Sequence, residues 1–279
     1  MVFAIYLPAP LYPLFPIVSI VSKNMLPVKV LHTRLMRYDY MHMKIYSIAS
    51  PIGNLEDITF RAISILKTAN FILCEDTRTT SKLLRHYGIL TPTLSYHQHS
   101  KTAVIDKIIH MVQSGSVLAL LTDAGTPGVS DPGNELIATL ISHCGPGLEI
   151  IPIPGASAVS TLASVAGIPM NSFLFMGFPP HKKKRKSFFE KMARSEEPVV
   201  LFESPHRIIK TLLSIEAVLP TSYTIVGREL TKIHETIYRG IISDVRKKLE
   251  QEGPRGEFTV IVHQQQPGCA AHRHCTPLL

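Results

Sequence analysis

The run Thr122-Asp-Ala-Gly-Thr-Pro-Gly-Val-Ser-Asp-Pro-Gly133 decides how this chain is read. It follows Val117-Leu-Ala-Leu-Leu121, an unbroken apolar stretch of the kind that forms a strand buried on both faces. Three glycines, two prolines and two aspartates neither extend that strand nor fill a core. They predict a loop at the strand's carboxyl end, where open α/β sheets bind their ligands. Gly125 and Gly128 permit positive φ and close approach of backbone to a ligand. Asp131-Pro132 predicts a helix N-cap followed by proline at the first helical position. The alternative is a tight turn without a ligand, which leaves both aspartates nothing to do beyond capping.

Strand and helix signals alternate outward from this loop. Lys44-Ile-Tyr-Ser-Ile-Ala49 predicts a strand entering the loop Ser50–Asn54, and residues 57–69 show helical spacing. Phe71–Cys74 predicts a second strand, with a helix from Glu75-Asp-Thr-Arg78 to Tyr87 that stops at Gly88. A strand at 93–97, helices at 101–113 and 133–143, and Glu149–Ile153 leading into Pro154-Gly-Ala-Ser-Ala158 continue the pattern. Repeated β-α order predicts an α/β fold, mainly parallel with helices on both faces, for an N-terminal domain at 44–166. A C-terminal α+β domain at 167–263 is expected to be at least partly antiparallel. Its predicted strands are 172–178, 198–203, 223–230, 234–241 and 257–263. Charged residues 183–194, residues after the cap-like Ser204-Pro205, and residues 242–251 predict its helices.

The 279 residues carry a formal charge of +8, which favours a polyanionic partner such as nucleic acid. Cys74, Cys144, Cys269 and Cys275 form no CxxC pair, so reduced thiols and a cytoplasmic setting are expected. Residues 1–43 are apolar and proline-rich. Pro8, Pro10, Pro13 and Pro16 would interrupt a spanning helix, and no basic segment precedes the apolar run as in a secretory signal. A disordered extension ahead of a start near Met41 or Met43 is expected, with a transit peptide as the alternative. The tail 264–279 is expected to be disordered, its cysteines and histidines lacking any recognised metal-ligand spacing.

Six motifs occur in one order. They are Ser50-Pro-Ile-Gly-Asn-Leu-Glu-Asp-Ile-Thr59, Cys74–Arg78, Asp123–Gly133, Pro152-Ile-Pro-Gly-Ala-Ser-Ala158, Phe202-Glu-Ser-Pro-His-Arg207 and Arg228-Glu-Leu-Thr-Lys232. Over residues 44–262 the chain resembles the bacterial ribosomal RNA small subunit methyltransferase I family, of the tetrapyrrole methylase fold. The resemblance implies methyl transfer from S-adenosyl-L-methionine to a cytidine 2′-oxygen of 16S rRNA in the 30S subunit. It also implies two-fold homodimers. Relatives usually carry a further helical C-terminal region, whereas here the chain stops soon after 263. Carried over motif by motif, Pro51, Asp123, Ala124, Gly125, Ser157 and Ala158 would contact the cofactor. Glu203 and Leu230 would supply the second domain's side.

Transfer to a ribose hydroxyl needs in-line positioning and a general base, with no metal demanded. Candidate bases are Asp76, Glu203, Glu229 and His234, with Glu229 and Asp76 first because each ends a predicted strand beside an arginine. A structural ion pair is the alternative for both. Lys232 is a candidate to stabilise a developing alkoxide. Arg78, Lys82 and Arg85 share one helical face, and Lys182, Lys183, Lys184, Arg185 and Lys186 form a denser basic run. With Arg207 at a helix start, these are candidate phosphate contacts, the alternative being solvated faces. His97 and His99 read as polar loop residues. A tetrapyrrole methyltransferase leaves the basic patches unexplained. A catalytically silent rRNA-binding protein leaves the intact glycine loop unexplained, and a membrane protein is disfavoured by the four prolines. No GxGxxG follows a strand, so a dinucleotide site has little support.

Overall fold

A computed structural model describes residues 43–97, 100–131 and 133–264. The expectations for the N-terminal extension, for His99, for Pro132 and for the cysteine- and histidine-bearing tail lie outside the described residues.

The first sheet contains β1 (Met43–Ile48), β2 (Phe71–Cys74), β3 (Thr93–Ser95), β4 (Val117–Leu120) and β5 (Leu148–Ile153). All its pairings are parallel, in the order β3-β2-β4-β1-β5. Its helices are α1 (Phe60–Thr68), α2 (Thr77–His86), α3 (Thr102–Gln113), α4 (Asn134–Cys144) and α5 (Ala158–Ser164). Strand side chains alternate between two separate cores. Ile48, Ile72, Ala119 and Leu121 pack with Ala62 and Leu66 of α1 and Leu83 and Leu84 of α2. On the opposite face, Ile45, Leu73, Leu118 and Leu120 pack with α3 and α4. A strand buried on both faces has no polar side to display, which is why β4 reads as a continuous apolar run.

Neighbouring β1 and β4 thus send their following helices to opposite faces. A crevice opens between the two diverging loops, at the place where doubly wound sheets seat ligands. The two loops are joined across it: the Ser50 N–H donates to the Gly125 carbonyl (2.9 Å) and the Gly125 N–H to the Ser50 carbonyl (3.1 Å). The Ser50 hydroxyl adds a bond to the Thr122 carbonyl (2.9 Å).

The second sheet is mixed, in the order β6-β7-β10-β8-β9. Its strands are β6 (Leu174–Phe175), β7 (Val199–Glu203), β8 (Tyr223–Arg228), β9 (Thr236–Ile241) and β10 (Phe258–His263). Only β6 and β7 run parallel. Helices α6 (Arg185–Ala193), α7 (Ile208–Val218) and α8 (Ile242–Glu252) cover one face through Met192, Leu212, Ile215 and Leu249. Val200, Ile225 and Ile261 from its other face pack with Leu162 of α5 and Ile52 of the β1 loop.

Several local expectations are corrected. Helix α4 starts at Asn134 with Gly133 in the cap position, so Asp131 is not its N-cap. Helix α7 starts at Ile208 with Arg207 as cap, after a turn in which the Ser204 carbonyl accepts from the Arg207 and Ile208 N–H groups. Of residues 172–178 only Leu174 and Phe175 are strand, although the Met176 N–H still donates to the Val200 carbonyl (2.9 Å) and the Gly177 carbonyl accepts from the Phe202 N–H (3.1 Å). Helix α1 begins at Phe60, capped by the Thr59 hydroxyl, after a short 3-10 turn at Leu55–Asp57.

Leu140 is fully buried in the α3–α4 core, so Leu140→Ala should cost about 2–5 kcal/mol in chemical denaturation. Leu90, 96% exposed, should tolerate alanine within about 0.5 kcal/mol.

Candidate active site

Between the carboxyl ends of the parallel strands and the second sheet lies a cavity of about 410 Å³. Ala124, Gly125, Ser130 and Asp131 line it from the β4 loop, and Ser157 and Ala158 from the start of α5. Phe202, Glu203, Leu230, Glu257 and Phe258 close it from the other side. Of the residues expected at a cofactor, six line this cavity: Ala124, Gly125, Ser157, Ala158, Glu203 and Leu230. Pro51 and Asp123 are not among its lining. Pro51 is buried, and Asp123 Oδ1 accepts the Asp76 N–H (3.2 Å), which ties the β4 loop to the end of β2.

Gly125 takes φ +78°, so any side chain there would strain the backbone that makes the bridge to Ser50. Gly128, at φ +85°, accepts from Asn134 Nδ2 (2.7 Å), and a Cβ on it would collide with that amide. Lining residues that were not expected at the cofactor include Val129, Ser130 and Asp131 of the glycine loop, and Phe178 and Glu257 outside the quoted motifs. Phe178 is 51% exposed at the cavity despite its apolar ring, tilted against Phe202 with centroids 5.5 Å apart. An exposed aromatic beside a hollow was the available signal, but only the fold brings Phe178 to it.

The four candidate bases have different surroundings. Asp76 caps α2 through the Arg78 N–H (2.8 Å) and pairs with the Arg78 guanidinium (2.7 Å). These hydrogen bonds hold its carboxyl down at about 2. Glu229 sits in the left-handed region at φ +51° and accepts from Lys232 Nζ (2.9 Å) and the Glu257 N–H (2.9 Å). Burial pushes its pKa up, but those bonds and the nearby cations outweigh it and leave it lowered. Lys232 also bonds Glu257 (3.0 Å); burial opposes its charge, yet the two carboxylates raise its pKa. His234 is exposed and does not line the cavity.

Glu203 has a fully buried side chain whose oxygens are fully engaged. Oε1 accepts from Arg207 (2.6 Å) and the Ser204 N–H (2.8 Å), and Oε2 from the Thr211 hydroxyl (2.6 Å). Arg207 is therefore turned inward, also donating to the Pro179 carbonyl (2.9 Å). Arg185 is likewise directed inward, to the Pro180 carbonyl (3.2 Å) and Thr211 (3.0 Å), over the Phe189 ring. Lys182, Lys183, Lys184 and Lys186 are exposed, as are Arg78, Lys82 and Arg85 along α2. His97 uses its backbone N–H to bond the Ser100 hydroxyl (2.9 Å). Among the described residues no cluster of three or more His, Cys, Asp or Glu side chains could hold a metal.

A family model for tetrapyrrole (corrin/porphyrin) methylases matches residues 44–246. A ribosomal RNA small subunit methyltransferase I from Synechocystis sp. is 39% identical over 226 residues, 80% of this chain and 80% of that protein. The chain belongs to this methyltransferase family. A second member, from Halalkalibacterium halodurans, is 42% identical over 219 residues, 78% of this chain and 75% of that protein. Among solved structures, a cobalt precorrin-4 methyltransferase matches with a TM-score of 0.60 at 17% identity, over 80% of this chain and 96% of that one. The family's fold is thus the tetrapyrrole methylase fold.

Removing Arg207 would leave Glu203 buried without its cation. Arg207→Ala should cost about 3–5 kcal/mol by denaturant unfolding, whereas Lys186→Ala, at an exposed and loose pair (3.8 Å), should cost under about 1 kcal/mol.

Proposed function

We propose that the protein transfers a methyl group from S-adenosyl-L-methionine to the ribose 2′-hydroxyl of a cytidine in 16S rRNA of the small ribosomal subunit. The observation that carries this reading is the cavity at the parallel sheet's switch point, lined from the family's motifs, in a protein that also exposes lysines and arginines on α2 and before α6. Its volume lies within the range of about 300–1,000 Å³ typical of small-molecule sites. Its walls suit the cofactor: Phe178 and Phe202 offer apolar surface for a purine, and Ser130, Asp131 and Glu257 offer polar groups. The bound cofactor would supply an electrophilic methyl carbon, and the protein has to orient an acceptor oxygen toward it.

In this reading Ala124, Gly125, Ser157 and Ala158 seat the cofactor from the parallel-sheet side, with Glu203 and Leu230 opposite. Pro51 and Asp123 act from behind, Asp123 by holding the β4 loop to β2. Residues 44–166 and 167–263 form two domains that share the cleft. Arg78, Lys82 and Arg85 and the exposed lysines after Pro180 contact RNA phosphates, while Arg185 and Arg207 serve the protein's interior. Lys232, held between Glu229 and Glu257, orders the β8–β9 loop beside Leu230. The protein acts in the cytoplasm as a homodimer. Among the described residues no helix is long and apolar enough to cross a membrane.

Labelled methyl from the cofactor, supplied with purified 30S subunits lacking the modification, should appear on a cytidine 2′-oxygen. Cofactor binding with no label in RNA would overturn the reading. Changing Lys182, Lys183, Lys184 and Lys186 together to glutamate should weaken RNA binding and flatten the dependence of log affinity on log salt. An unchanged slope would remove the patch from the interface.

A further inference from the structure

A second cavity of about 380 Å³ adjoins the first. Tyr96, Gly128, Ser130, Asp131, Asn134 and Glu135 line it, a mostly polar set unlike the aromatic walls of its neighbour. Ser130 and Asp131 line both cavities. Of the acidic residues lining either, Glu203 and Glu257 face only the first and Glu135 only the second. Asp131 alone reaches the two. We propose that the second cavity receives the ribose of the acceptor nucleotide and that Asp131 is the catalytic base that takes its 2′-hydroxyl proton. This rests on the methyl-transfer reading above.

The backbone supports the placement. Ser130 adopts φ +63°, a left-handed conformation that costs a non-glycine residue about 1–3 kcal/mol and clusters at functional sites. The loop before it is pinned by the Val129 N–H to the Thr126 carbonyl (3.2 Å) and by Asn134 to the Gly128 carbonyl (2.7 Å). The strain therefore sits at the residue immediately before Asp131. The three carboxylates among the candidate bases are committed: Asp76 to Arg78, Glu229 to Lys232, Glu203 to Arg207 and Thr211. Among the described residues Asp131 makes no ion pair.

The groups that face Asp131 act together. Its partial burial, with the charges of Glu75 and Asp123 and with the Thr122 hydroxyl opposing, pushes its carboxyl up to about 6. Glu75 is itself raised, by burial and by Asp123, with His97 opposing. Tyr96 and Glu135 stand across the second cavity. A base with a pKa close to the working pH is ionised yet still proton-hungry. In the transfer, a carboxylate oxygen of Asp131 accepts the hydroxyl proton while the ribose oxygen bonds to the methyl carbon. The methyl–sulfur bond breaks with its electron pair left on sulfur, and the Asp131 carboxyl then releases its proton to water.

Asp131→Asn in the full chain is the test. Single-turnover methylation of 30S subunits should fall by about 100-fold or more. Stabilisation by S-adenosylhomocysteine in thermal melts should persist, and the ligand-free melting temperature should not fall, since the amide removes repulsion from Glu75 and Asp123. The wild-type rate should rise with pH through about 6, and a ¹³C-labelled Asp131 carboxyl in ligand-free protein should titrate there. A variant within about threefold of wild type would overturn the assignment. So would loss of the S-adenosylhomocysteine effect, or a carboxyl titrating in the ordinary aspartate range. A wild-type protein that methylates no RNA would sink the methyl-transfer reading itself, a result separate from an active variant.

Discussion

Two reciprocal backbone hydrogen bonds between Ser50 and Gly125 hold the binding end of this molecule together. They join the loops after β1 and β4 beyond the point where the strands stop pairing. Ile52 on one loop and Ala124 and Gly125 on the other are thereby set on one side of the cavity. Because the bridge uses backbone atoms, it depends on the shape that glycine alone adopts without strain at position 125. The Ser50 hydroxyl, buried and bonded to the Thr122 carbonyl, satisfies a polar group that would otherwise be stranded where the sheet ends.

The opposite wall is organised by charge. Glu203 is the single buried acid among the described residues, and Arg207, Thr211 and the Ser204 N–H consume its acceptor capacity. Such a cluster makes the turn between β7 and α7 a fixed object, at the cost of desolvating a carboxylate and a guanidinium. Asp131 lacks a comparable cation among the described residues, and burial together with the charges of Glu75 and Asp123 raises its proton affinity. The two carboxylates line one cavity with opposite chemistry, one held and one poised.

Much of this was legible in the sequence. The apolar run Val117–Leu121 and the loop after it located the switch point, because a doubly buried strand and a glycine-rich turn have distinct compositions. Helix limits were less legible. Asp131-Pro132 and Ser204-Pro205 carry cap-like chemistry, but Asp131 lies in a cavity wall and α7 waits until Ile208. Side-chain direction was hidden too. Nothing local separates Arg185 from Lys184 or Lys186; its inward path depends on Thr211 and Phe189, brought near by packing. Phe178 and Glu257 reach the cavity from distant parts of the second half, and proximity of that kind has no periodicity to betray it.

The basic run before and within α6 occupies an awkward position. Lys184 is the cap, at φ +63°, and Arg185 and Lys186 fill the first turn, with no acidic residue there. The amino end of a helix already carries partial positive charge, so cations there are disfavoured by about 0.3–1 kcal/mol each. The arrangement is thus electrostatically frustrated in isolation. Negative charge arriving from outside would meet both the lysines and the helix end, so this corner of the molecule gains stability from an anion docked on it and is at its weakest when bare.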